Sequence, residues 1–95
     1  MNKDHIKEIQ QEYTEKLVKY MPELRQGIGV NQYAFARKLG ISRSTMVYLE
    51  SGSRKTGLTF HMYLAVIMIF MQYEDSRKLI EKYQLFDKDF IIQID

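Results

Sequence analysis

The chain has 95 residues, with 14 Lys and Arg against 12 Asp and Glu, a net charge of +2, 45% hydrophobic residues and no cysteine. This composition fits one domain over 1–95, too apolar for a disordered chain and too nearly neutral overall to announce an anionic partner. It excludes a disulfide framework, a redox thiol and a thiolate-bound zinc or iron–sulfur centre, and a domain this small buries only about 60–65% of its unfolded surface, so a partner chain would add stability.

Ile6, Ile9, Tyr13, Leu17 and Tyr20 recur at helical spacing with charges between them, which predicts a leading amphipathic helix from about Asp4 to Tyr20, within residues 1–21. Asp4, His5, Lys7 and Glu8 interrupt any apolar stretch of the signal-peptide kind, so the expected location is cytoplasmic. Pro22 lacks an amide hydrogen and disfavours helical backbone at Met21. A break or kink is expected there, with a short helix resuming at the proline and ending at Gly27, where Gly27-Ile28-Gly29 forms a cap and turn.

Asn31 can accept the first amides of a helix running to Leu39, with Ala34, Phe35 and Leu39 available to the core and Gly40 as its left-handed stop. Ser42 then caps a second short helix, Arg43 to about Glu50, with Met46 and Leu49 inward and Ser51-Gly52-Ser53 at its end. Met62 to Met71 is free of charge, but a membrane-spanning helix needs about 20 apolar residues, so a core helix from near Thr59 to roughly Gln72 is expected, and no membrane. Asp75 is the expected cap of a last helix with Leu79, Ile80, Tyr83 and Phe86 on its apolar face.

Phe90-Ile91-Ile92-Gln93-Ile94 is long enough for one strand, which either pairs with a copy of itself across a two-fold axis or lies as an extended arm on its own helices or on a partner. The expected fold class is all-α. A compact helical bundle has a core over 22–72, the leading helix before it, and a C-terminal helix with an extended segment over 73–95.

The near-neutral total hides an uneven distribution. Residues 1–20 carry four positive and four negative side chains, residues 21–57 six and two, and residues 58–95 four and six. The central positives are Arg25, Arg37, Lys38, Arg43, Arg54 and Lys55, around two short helices and the loop after them. Such a cluster is either a solvated face or an electrostatic footprint for nucleic acid, and a short helix presented by a tight turn has the width of the DNA major groove.

From Leu24 to about Phe70 the chain resembles the Cro and phage-repressor type of helix-turn-helix family. The resemblance rests on Gln32, Ala36, Leu39, Gly40, Ser42, Ser44, Thr45, Glu50 and Gly52 at family spacing. It implies a lambda-repressor-like bundle of about five helices in which the second supports the third, and the third reads the major groove. It also implies that Gln32 meets a phosphate, that Arg43, Ser44, Thr45 and Tyr48 face base edges, and that residues 51–55 approach phosphates. Glu50 pairs with Arg25 as scaffold in this reading.

Residue chemistry agrees. Arg43 has the planar fork for guanine O6 and N7, and Ser44 and Thr45 are short hydroxyls that permit close approach. Tyr48 can touch a thymine methyl or a phosphate, or pack partly under its helix. Gln32, Asn31 and the first amides of their helix can hold a phosphate oxygen, while Arg54, Lys55 and Arg37 or Lys38 suit generic phosphate contacts. The chain departs from the family in Pro22, in the added leading helix and in the unusually apolar helix after the loop. All three point to extra packing layers or to a homodimer, which a two-fold operator also requires.

His5 and His61 belong to no His-x-x-x-His pair or nucleophile motif, and Met62, Met68 and Met71 read as core filling. Neither enzymatic activity nor a cofactor or metal is expected. The expected function is sequence-specific binding of double-stranded DNA by a transcriptional regulator, a repressor of a bacterial, phage or mobile-element operon. The rival is an antitoxin or accessory module that uses the same scaffold to bind a protein.

Overall fold

A computed structural model describes residues 3–51 and 58–87. The extended segment expected at 90–94, and Arg54 and Lys55, lie outside the described residues. The described chain is all-α, with five helices: α1 Lys3–Gly27, α2 Gln32–Leu39, α3 Arg43–Glu50, α4 Phe60–Phe70 and α5 Glu74–Lys82.

The expected break at Pro22 does not occur. α1 runs through the proline for 25 residues. At 1.5 Å per residue that is about 37 Å, which matches the longest dimension of the molecule, 38 Å. An interior proline costs about 3 kcal/mol, since the Val18 carbonyl loses its amide partner. Against this, Leu17, Met21 and Leu24 are wholly buried on the same stripe, and each such side chain contributes roughly 1.5–3 kcal/mol. Burial on both sides of the proline outweighs its cost, and the division expected between 1–21 and 22–72 falls inside one helix.

The remaining elements start and stop by local chemistry. Asn31 Oδ1 accepts the Ala34 amide at 2.8 Å, Ser42 Oγ the Thr45 amide at 3.1 Å, and Thr59 Oγ1 the Met62 amide at 3.1 Å. Gly40, at φ 73°, ends α2 as expected. The Gly40 amide reaches the Arg37 carbonyl at 3.2 Å and the Ile41 amide the Ala36 carbonyl at 3.0 Å, the paired bonds of a Schellman motif. α5 differs from expectation: Tyr73 precedes it without a side-chain cap, and Asp75 sits with Glu74 in the first turn, where a carboxylate favours the helix dipole.

The core gathers Leu17, Met21 and Leu24 of α1, Phe35 and Ala36 of α2, Met46 and Leu49 of α3, and Tyr63, Val66, Ile67 and Phe70 of α4. Ala34 and Leu39 are only half-buried, so Ala36 takes the inner position. Phe35 stacks on Phe70 with ring centroids 4.9 Å apart. α1 contacts α3, α4 and α5, and α2 packs on α3. Tyr20 stacks on Tyr83 at 4.0 Å, tying α1 to the end of α5. Among the described residues no helix is long and apolar enough to cross a membrane.

Candidate nucleic-acid interface

α3 follows α2 after three residues, Gly40, Ile41 and Ser42, so the two short helices form one unit whose outer surface is set by that turn. Met46 and Leu49 are at most 1% exposed and anchor α3 inward. The helical period then turns Arg43, Ser44, Val47 and Tyr48 outward, and all four are exposed.

The far end of α3 is held by charge. Arg25 donates from Nε to Glu50 Oε2 at 2.9 Å, from Nη2 to Glu50 Oε1 at 2.8 Å, and from Nη1 to the Val30 carbonyl at 3.1 Å. The pair is bidentate, with side-chain exposures of only 9% and 4%, and it joins α1, the turn after it and α3. Gln32 Nε2 adds a third donor to Glu50 Oε1, at 2.9 Å, bringing in the start of α2. Sequence reading assigned Gln32 to phosphate contact and did not anticipate this bond. Its one signal was a polar residue at the first position of α2, which is half-buried against the Glu50 carboxylate.

At the near end, Ser42 Oγ lies 2.8 Å from Thr45 Oγ1 and 3.3 Å from Ser44 Oγ, while accepting the Thr45 amide. The two small hydroxyls expected to face bases are therefore drawn into the cap. Arg43 differs from them, since its guanidinium has no hydrogen bond or ion pair among the described residues. It lines an open cleft of about 490 Å³ together with Arg25, Asn31, Gln32 and Tyr33. Asn31 spends its side-chain oxygen on the α2 cap, which leaves its amide nitrogen and the neighbouring helix amides at the cleft.

Tyr33 is the residue that sequence reading missed. It is 54% exposed in the wall of the cleft, and the Arg37 guanidinium lies 5.8 Å from its ring centroid. An aromatic beside one arginine was detectable from α2 periodicity, which puts Tyr33 and Arg37 one turn apart on the same face. Of the expected contacts, Arg43, Asn31 and Gln32 share the cleft with Tyr33, Arg37 stands beside it, and Ser44 and Tyr48 lie on the outward side of α3.

The chemistry available is hydrogen-bond donation to an anion or to a base edge, at the start of two helices. Among the described residues no group of three His, Asp or Glu side chains could hold a metal ion. Comparison with protein-family models, with curated proteins and with solved structures finds no match.

Proposed function

We propose that the chain binds double-stranded DNA sequence-specifically as a helix-turn-helix regulator, with α3 as the reading helix and a homodimer as the working form. The carrying observation is Arg43: a guanidinium at the first position of α3, exposed, in the wall of the cleft and without a hydrogen-bond or ion-pair partner among the described residues. An arginine committed to the fold would be tied down as Arg25 is. In the proposed complex Arg43 meets guanine, Ser44, Thr45 and Tyr48 lie along the groove, and Asn31, Gln32, Tyr33 and Arg37 approach phosphates.

Titration of the wild type and of Arg43→Ala against the DNA just upstream of the gene, at two salt concentrations, tests this. The expected result is a large loss of affinity for the preferred sequence with the fold intact, and a salt slope that counts neutralised phosphates. The second reading, an antitoxin or accessory protein-binding module, is favoured by Tyr33 of α2 and by Val47 and Tyr48 of α3, which are 54%, 46% and 46% exposed and suit a protein interface. It predicts weak DNA binding that Arg43→Ala leaves unchanged.

A further inference from the structure

A second surface lies away from α3. α4 belongs to a run, 62–71, without a charged residue, yet only Tyr63, Val66, Ile67 and Phe70 of the helix are buried. A helix apolar on most sides needs cover on more than one. On the uncovered side Met68 is 70% exposed, and Met71 and Tyr73, just beyond the helix, are 39% and 37% exposed. Next to them is a groove of about 550 Å³ with Met71, Ile80 and Phe86 in its walls and a rim of mixed charge, Glu74 and Glu81 with Arg77 and Lys78.

Two features make this surface complementary to itself. It holds a protruding apolar side chain, Met68, and within one helical turn a groove with apolar walls that shares Met71. An isologous contact needs both a knob and its hole on the same patch. The start of α5 also carries Glu74 and Asp75 followed by Arg77 and Lys78, all exposed. An antiparallel copy about an axis between these pairs sets the carboxylates of one chain against the cations of the other. A partner of one sign would meet like charge on half of that rim. Among the described residues the one ion pair in the block is Lys78 Nζ to Glu74 at 3.5 Å, between side chains 72% and 71% exposed, a weak pair that can exchange partners, while Arg77 Nη1 donates to the Met71 carbonyl at 3.4 Å.

We infer that the α4–α5 surface joins two copies of this chain about a two-fold axis, with Met68 of each entering the other's groove. None of the outward residues of α3 belongs to the surface, so the contact leaves the proposed reading helix uncovered and does not depend on DNA.

Sedimentation of the full chain over a range of concentrations tests the inference. The wild type is expected to be a reversible dimer, and Met68→Lys to raise its dissociation constant roughly tenfold or more. Glu74→Lys with Asp75→Lys, and separately Arg77→Glu with Lys78→Glu, should each favour monomer, while an equimolar mixture of the two restores a dimer of one copy of each, seen by native mass spectrometry. A wild type that stays monomeric overturns the inference, and so does a mixture of folded variants that fails to associate. So does a dimer that survives Met68→Lys but is broken by Ile92→Asp, which would assign pairing to the C-terminal segment. Lysines in the first turn of α5 oppose the helix dipole. If circular dichroism shows that pair unfolded, Met68→Lys decides alone, since its position is exposed and outside the core.

Discussion

α3 and α4 are seated in the same core by different physics. α4 buries Tyr63, Val66, Ile67 and Phe70, at roughly 1.5–3 kcal/mol for each large apolar side chain, and its Phe70 ring stacks on Phe35. α3 buries only Met46 and Leu49, and its last residue is tied down by the Arg25 and Gln32 donors to Glu50. Outward, α3 shows Arg43, Ser44, Val47 and Tyr48, whereas α4 shows Met68 and Ala65. An eight-residue helix with one face turned to solvent has little apolar surface left for anchoring. Its place depends on a few polar bonds, and a helix held by area does not share that weakness.

The largest expected effect breaks this contrast at its polar side. Glu50→Ala leaves the Arg25 guanidinium buried without its carboxylate, and removing one partner of a buried pair costs about 3–5 kcal/mol. Urea unfolding measures it. A loss below about 1 kcal/mol would mean that apolar packing seats α3 after all and that the pair behaves like an exposed one.

Next in size is the outward face of α3. Arg43→Ala should reduce discrimination between the preferred DNA and a random duplex by about 1–3 kcal/mol. Since the side chain is exposed and unpaired among the described residues, stability should stay within about 0.5 kcal/mol of the wild type. Affinity and unfolding measured on one preparation separate recognition from seating, which Glu50→Ala disturbs together.

On the α4 side two buried hydroxyls make the corresponding polar contacts, Ser76 to the Phe70 carbonyl and Tyr63 at the other turn. The Tyr63 hydroxyl donates to the Leu85 carbonyl, and burial, then the charge of Tyr13, raises its pKa above the ordinary 10.0. A phenol that keeps its proton longer when folded contributes stability that is complete below pH 10.0 and is lost as pH rises toward the folded value. Tyr63→Phe should cost about 1 kcal/mol near neutrality and flatten the loss of stability above that pH. Unfolding curves across the alkaline range show both. An unchanged alkaline slope would place that sensitivity at Tyr13 or Tyr83, whose pKa values are also raised, the first by burial and the second by its bond to Glu23.

The contrast also separates what sequence could and could not disclose. Asn31, Gly40 and Ser42 announced α2, the turn and α3, because each cap acts on amides or carbonyls within a few residues of itself. The Arg25–Glu50 pair came only through a family resemblance, as its partners are 25 positions apart. The continuity of α1 through Pro22 was illegible for a related reason. The local rule counts the missing amide, whereas the outcome is set by Met21 and Leu24 packing on distant helices. Tyr33 was legible in position and missed in role, because exposure beside Arg43 appears only when α2 and α3 are placed together.

The smallest effect concerns how the two halves end their helices. Gly29 and Gly40 take φ values of 71° and 73° on the α2–α3 side, and Gln84 takes 54° after α5. The bonding is the same: the Gln84 amide reaches the Glu81 carbonyl at 3.2 Å and the Leu85 amide the Ile80 carbonyl at 2.9 Å, as at Gly40. An L-residue with a Cβ pays about 1–2 kcal/mol in this region, offset in part by the greater entropy glycine loses on folding, so Gln84→Gly should stabilise by about 0.5–1 kcal/mol. The Gln84 bond that crosses to α1 is accepted by its carbonyl, from Lys16 Nζ at 3.3 Å, and survives the change. Thermal unfolding of this variant reads the cost of the α5 end directly. A destabilised variant would show that the glutamine side chain contributes more than its backbone strain removes.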